Sequence, residues 1–448
     1  MSLNPLALLA EHAEYCLSRA RAGGADEAAV YIGENNAHSV QCRGDAIEEL
    51  TRAREQSLAL TVYCGKRSGS ASVSEWSQTA LDEAVDAALA AARFTEADPD
   101  FGLPNPSLYA RVDADAQNAL ALYDDHIPDT ESLIAAARAC EAAAYGADAR
   151  IVNSDGASAS VDVYQHHYAT SNGFAHGWRG TRAGLSLSVL AKDGDSQQRD
   201  YDYDHGTGWR HLRAPESIGR EAAARAVAAL HPQAIASGSY PVLLHPQVAA
   251  GFFGHLLQAL NGRAQYRKLS FLTGALNEQA LPAWLTLRER PHLPGFAASA
   301  LCDSDGIATQ ESDIVANGRI ARYLLGHYSA KRLGMRPTGN AGGVRNLAVL
   351  ADDSHIYDRA ALLRHMDRGL VITSVMGQGV NLLTGDYSRG ASGFWVENGE
   401  IVHAVEGITL AGRLPDMLAG IQAIGDDIDW RGGIHAPSVL LSPLTVAQ

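Results

Sequence analysis

Two histidines mark the most suggestive stretch of the chain. His245 lies just before the apolar, helix-compatible segment Ala249–Gln258 (AAGFFGHLLQ), and His255 stands in its middle. A metallopeptidase helix needs several ligands on one ion and a carboxylate beside the metal-bound water. Here no histidine is followed by glutamate, and none has a second histidine four residues on. On a continuous helix, His245 and His255 would stand roughly 15 Å apart, too far to share an ion held by bonds of about 2 Å. Pro246 also argues against continuity. The adjacent His166 and His167 would face opposite sides of a strand. There is no G-x-S-x-G elbow, Walker loop or complete G-x-G-x-x-G. The glycine-rich run Gly377–Gly393 (GQGVNLLTGDYSRGASG) lacks a strand-then-helix setting and is expected to form tight turns between strands. The carboxylates of CDSDG, ADDSH and GDDIDW are expected to cap backbone N–H groups.

The elements that must carry these residues fall into three segments. The chain has 448 residues, 46% hydrophobic and 19% charged, with a net charge of −15. That balance indicates a folded protein of two or three domains and argues against binding nucleic acid or an anionic membrane surface. The five cysteines, Cys16, Cys42, Cys64, Cys140 and Cys302, are scattered and odd in number, which fits a reducing cytosol and no disulfide framework. The N-terminal stretch has no basic n-region and reads as an amphipathic helix, not a signal peptide. No apolar run reaches the length of a membrane span.

The fold class expected is α+β. Two similar helix-strand-helix blocks occupy residues 1–105 and 120–232, and a β-rich sandwich or barrel-like domain occupies 236–448. The first block opens with a helix near Leu6–Ala22 and closes with an alanine-rich helix for which Ser77 is the expected N-cap. The second repeats that order at an offset of roughly 130 residues, with period-2 strands between its helices, and a degenerate internal duplication is the expected origin. In the last segment, Asn317-Gly318 and Asn398-Gly399 are hairpin turns.

Several long strings, in order, carry a specific resemblance. They are YRKLSFL (Tyr266–Leu272), HYSAKRLGMRPTGNAGG (His327–Gly343), GQGVNLLTGDYSRGASGFWVENGEI (Gly377–Ile401) and ITLAGRLPDMLAGIQAIGDDI (Ile408–Ile428). Together with LTVYCGKRSGSASVSEWS (Leu60–Ser77), they closely resemble the PmbA/TldE branch of the TldD/PmbA family (peptidase U62 type), from about residue 5 to the C-terminus. The resemblance implies a cytoplasmic metalloprotease built from two paralogous subunits around an enclosed site. Its TldD-type subunit carries H-E-x-x-x-H on a helix and a cysteine ligand near the C-terminus. In the matching helix here, Ala250 stands in the first histidine's place, Gly251 in the glutamate's, and Gly254 precedes the one retained histidine, His255. No cysteine follows Asp427.

The resemblance therefore implies a degenerate site with no catalytic residue and no metal in this chain, and with zinc in a TldD-type partner. The expected role is support of that partner in degrading or processing unfolded or small peptides, as a hetero-oligomer or, in isolation, a homodimer. A homodimeric peptide-binding or scaffold protein without proteolytic activity is the alternative. Expected substrate or cavity contacts are Thr338, Gly339, Asn340, Gln378, Asn381, Asp386 and Arg389. Arg389 would either clamp a carboxylate or pair with Asp386.

Overall fold

The computed structural model describes residues 3–448. Its N-terminal half is built from α1 (Leu6–Ala22), β1 (Glu27–Arg43), β2 (Ala46–Cys64), β3 (Arg67–Val73) and α2 (Gln78–Phe94). After α3 (Ala114–Ala119) in the connecting segment come α4 (Thr130–Ala147), β4 (Ile151–Thr170), β5 (Ala175–Asp193), β6 (Ser196–Gly206) and α5 (Pro215–Ala228). Ser77 caps α2 as expected, its Oγ accepting from Ala80 N at 3.3 Å, and Asp129 caps α4 through Ser132 N at 2.8 Å. Each cap satisfies one of the free N–H groups of a first helical turn.

The two blocks meet in one sheet. β1 pairs with β4 from Ala29↔Thr170 to Cys42↔Ala157, so the strand order is β3-β2-β1-β4-β5-β6, symmetrical about that seam. The repeat expected from the sequence is thus present in the topology. α1, α2, α4 and α5 lie on one face. Leu9, Ala13, Cys16 and Leu17 of α1 pack on Val30, Ile32, Leu58 and Leu60, while Leu133 and Cys140 of α4 and Ile218 of α5 cover Val40, Val161 and Leu187. In β4 the odd-numbered Ala157, Ala159 and Val161 point to the helices. The even-numbered residues therefore face the other way.

The C-terminal domain begins with β7 (Gly238–Leu244), α6 (Pro246–Ala259), α7 (Gly262–Tyr266), β8 (Leu285–Glu289), β9 (Ser312–Ala316), β10 (Arg319–Ile320), α8 (His327–Leu333) and β11 (Leu347–Ala351). It continues with β12 (Ile356–Tyr357), α9 (Arg359–Met366), β13 (Gly369–Met376), β14 (Val380–Asn381), β15 (Asp386–Glu397) and β16 (Glu400–Arg413). It ends with α10 (Leu414–Ala419), β17 (Ile421–Gly425), β18 (Ile434–His435) and β19 (Val439–Ala447). β7 pairs with β13, β13 with β15, β15 with β16, β16 with β19, and β19 back with β7. This ring is a closed five-stranded barrel, which leaves no free edge among its members. A second sheet runs β10-β9-β8-β11-β18. The expected turns are in place: Asn398 and Gly399 have φ of 53° and 75°, and Asn317 and Gly318 have 47° and 75°, joining β15 to β16 and β9 to β10.

All five cysteines are free. Among the described residues no helix is long and apolar enough to cross a membrane.

Candidate functional site

β7 delivers the chain directly into α6, and the switch from strand to helix falls at His245, which is the N-cap residue, with Pro246 at the first helical position. Proline fits there because its missing N–H would have no helical partner. Phe252, Phe253, Leu256 and Ala259 are buried in the large core of the C-terminal domain, packed with Leu244, Leu370, Ile372 and Leu410. That packing fixes the rotation of α6 about its axis. Gly251 is left exposed, and a side chain added there would meet nothing within 4 Å. A Cβ on Gly254 would approach only Ile434 Cδ1, at 3.8 Å.

His255 shares the Gly251 side of the helix, one turn on. Its ring meets that of Tyr387 on β15 edge to face, centroids 6.2 Å apart at 71°. Burial lowers the His255 pKa, and the Arg389 guanidinium lowers it further, so the imidazole is neutral at physiological pH. Burial also raises the Tyr387 phenol, with Arg389 pulling the other way. Arg389 interacts with the Tyr387 phenol and reaches Val375 O through Nη2 at 3.5 Å, while its buried Nε has no partner. The expected ion pair with Asp386 does not form. Asp386 lies on the opposite face of β15, three residues away, and accepts from Thr384 Oγ1 at 2.6 Å.

A zinc ion does not fit this donor set. Ala250 and Gly251 supply no ligand atom, and among the described residues no three His, Cys, Asp or Glu side chains converge on one point. Arg389 beside His255 would further repel a divalent cation.

The remaining expected contacts separate into two groups. Thr338, Gly339 and Asn340 are scaffold. Asn340 is 1% exposed and donates through Nδ2 to both oxygens of Glu289, at 3.0 and 2.8 Å. Thr338 Oγ1 donates to Asn340 Oδ1 at 2.9 Å, and Arg322 donates to Thr338 O. Gly339 has φ +73°, and a Cβ there would strike Ala308 O at 2.5 Å. The side chains of Thr338 and Asn340 are thus engaged within the domain. Gln378 and Asn381, by contrast, are exposed in the β13–β15 connection, where Asn381 Oδ1 accepts from Leu383 N at 2.9 Å to shape the turn. Met376 and Leu383 flank them, 60% and 51% exposed. β14 in this connection pairs with β15 alone.

His245 opens instead into a different space, a cleft of about 870 Å³ between α5, β6 and the barrel. Burial pushes its pKa down to about 4, with Arg225 and Arg359 adding to the effect, and its Nδ1 has no partner. His255 is not among the residues lining that cleft. His166 and His167 do face opposite sides of β4: Gly33 lies under the His166 ring and Gly177 under His167. Sequence reasoning did not foresee the surroundings of His166, whose ring neighbours Tyr31, Tyr164 and Trp178 come from three strands. The alternating YQHHY (164–168) and AHGW (175–178) patterns contain the signal.

Comparison with known proteins gives consistent matches along the whole chain. Models of the PmbA/TldA metallopeptidase match in three parts: domain 1 at residues 28–92, the central domain at 123–230 and the C-terminal domain at 237–448. A metalloprotease PmbA homolog of Haemophilus influenzae is 41% identical over 409 residues, 91% of this chain and 89% of its own. Metalloprotease PmbA of Escherichia coli O157:H7 is 39% identical over 425 residues, 95% and 93% of the two chains. Among solved structures, a candidate modulator of DNA gyrase from Bacteroides thetaiotaomicron superposes with a TM-score of 0.90 at 26% identity, covering 98% of both chains. TldE from Thermococcus kodakarensis superposes at 0.84 with 18% identity, covering 98% of this chain and 100% of that one, a likeness of fold.

Proposed function

The chain belongs to the PmbA/TldD metallopeptidase family, on its PmbA/TldE-type branch, and from that premise we propose that it is the metal-free subunit of a zinc peptidase. In this reading it works in the cytoplasm with a TldD-type paralogue that carries the zinc, and the pair degrades or processes unfolded and small peptides. The observation that carries the reading is the open face of α6. Where a ligand and a base would stand there are Ala250 and Gly251, and beside the retained His255 stands the Arg389 guanidinium, whose Nε has no partner. A zinc-activated water cannot be generated without ligands to hold the ion.

What this chain contributes is positioning. β14 offers a free edge to an extended peptide, and pairing along that edge would read main chain and tolerate many sequences. In this reading Gln378 and Asn381, which are exposed, contact the peptide, and exposed Met376 and Leu383 give it apolar surface. Arg389 can donate from its free Nε to a carbonyl or carboxylate oxygen, which would relieve the unpartnered donor.

The test is cleavage of an unfolded peptide by this chain alone, by a TldD-type partner alone, and by the two together. Chelator-sensitive cleavage only when the partner is present, enhanced by this chain, is the expected result. A stable homodimer that neither cleaves nor stimulates cleavage would favour a scaffold instead.

A further inference from the structure

The face of the N-terminal sheet turned away from the helices is a platform of aromatic rings. Residues opposite one another on paired strands share a face. The register places Tyr31 beside Tyr168 and His176, Gly33 beside His166 and Trp178, and Asn35 beside Tyr164 and Gly180. Two glycines make the platform possible. A Cβ on Gly33 would stand 2.1 Å from His166 Nδ1, and one on Gly180 would stand 2.3 Å from Tyr164 Oη. Each ring therefore lies across a neighbouring strand, in the room left by a missing side chain. The rings touch in series: Tyr31 on His166 at 5.1 Å, His166 on Trp178 at 5.4 Å, Trp178 on His176 at 5.2 Å, and Tyr164 on His166 at 5.5 Å. Such an array presents faces and edges to a further ring.

The C-terminal domain supplies the opposite wall. Residues 297–304 stand over the platform and enclose a cavity of about 560 Å³ with it, within the usual range for small ligands. Ala297, Ala298 and Ala300 keep that wall shallow. The charge balance inside is one-sided. Burial pushes His166 and His176 down to about 4, so both are neutral, and pushes the Cys302 thiol up to about 12. The Asp303 carboxylate is consumed by the N–H groups of Asp305, Ile307 and Ala341. Arg345 donates to the carbonyls of Gly339 and Gly343. Arg182 lines the cavity with its guanidinium 5.0 Å over the Tyr164 ring. Asp162 stands opposite it across the β4–β5 pair and feels its charge, but among the described residues the two form no ion pair within 4 Å.

We propose that this cavity binds an aromatic ring bearing a carboxylate, as at the C-terminal Phe, Tyr or Trp of a peptide, with the ring on the His166–Trp178 platform and the carboxylate at Arg182. The proposal deepens the peptide-handling function above and rests on it.

Calorimetric titration of the full chain tests it, with four probes: acetyl-Ala-Ala-Trp, its C-terminal amide, acetyl-Ala-Ala-Ala and free tryptophan. The tryptophan acid should bind one site, the amide about tenfold or more weakly, and the alanine peptide not measurably. Arg182→Gln should make acid and amide equal, and Trp178→Leu should weaken both. Arg182 is exposed, so the first variant keeps the test open if the second fails to fold. Free tryptophan binding as tightly as the peptide would assign the site to the amino acid; weaker binding assigns it to a peptide end. Equal binding of the tryptophan and alanine peptides, no binding at all, or discrimination that survives Arg182→Gln would overturn the proposal. These titrations need no zinc-bearing partner. Failure of the subunit reading in the cleavage assay, with binding intact, is therefore distinguishable from failure of the pocket.

Discussion

His255 and Tyr387 meet edge to face with centroids 6.2 Å apart, joining α6 to β15. The contact holds an imidazole against a phenol and a guanidinium, where a metallopeptidase would hold it against an ion. Burial is the larger cause of its low pKa and Arg389 the smaller. Arg389→Leu should therefore raise the His255 pKa while leaving it below the ordinary value near 6.5. Titration of the His255 ring signal by NMR reads this directly, and an unmoved pKa would show that the guanidinium does not act on the imidazole.

Asn340→Ala should damage the fold and spare the reaction. It removes two bonds to Glu289, a carboxylate that is 2% exposed and would keep the Arg345 N–H at 2.8 Å. Leaving a buried charge underpartnered costs about 2–4 kcal/mol, to be read from urea unfolding. In the mixed complex, KM for peptide should not move below the unfolding temperature. A raised KM with unchanged stability would return Asn340 to the substrate site.

Acid should destabilise the protein well above the carboxylate range. His166, His176 and His245 are each pushed by burial to about 4. Between there and the unfolded value near 6.5, the unfolded chain binds more protons, so stability rises with pH through that window. Their stabilisation is complete above about pH 6.5 and is lost as pH falls toward 4. Asp303, raised by burial to about 6, acts in the opposite sense: its contribution is present at low pH and is lost as pH rises through 6. His38, His167, His255, His292, His327 and His435 are also lowered by burial, against two further raised carboxyls, Asp162 and Glu289. The histidines therefore dominate, and the unfolding temperature should fall by roughly 3–6 °C from pH 7 to pH 5. A flat or rising profile in scanning calorimetry would contradict this.

Much of the architecture was legible because it rests on local chemistry. Ser77 before an alanine-rich run and Asn-Gly at 317–318 and 398–399 each specify a cap or a turn by themselves, and all three are where the sequence placed them. The repeat of helix, strands and helix was visible as period-2 alternation of apolar residues between two helices. That the two blocks share a seam from Ala29↔Thr170 to Cys42↔Ala157 was not, since pairing between distant strands leaves no local mark. The same holds for the site. Ala250 and Gly251 could be read from the sequence as missing ligands, whereas Arg389 turning toward His255 and away from Asp386 depends on the face of β15 each occupies. Asn340 resembled a substrate contact because its partner, Glu289, is remote in sequence. The ring platform depends on Gly33 and Gly180 lying beneath rings of another strand, which only the register shows.

The central claim is tested most directly by the zinc content of this chain purified alone, measured by elemental analysis after dialysis against trace zinc. The account expects far less than one zinc per chain, because one imidazole beside a guanidinium is not a chelate. About one tightly held zinc per chain would contradict it and require a ligand set outside α6.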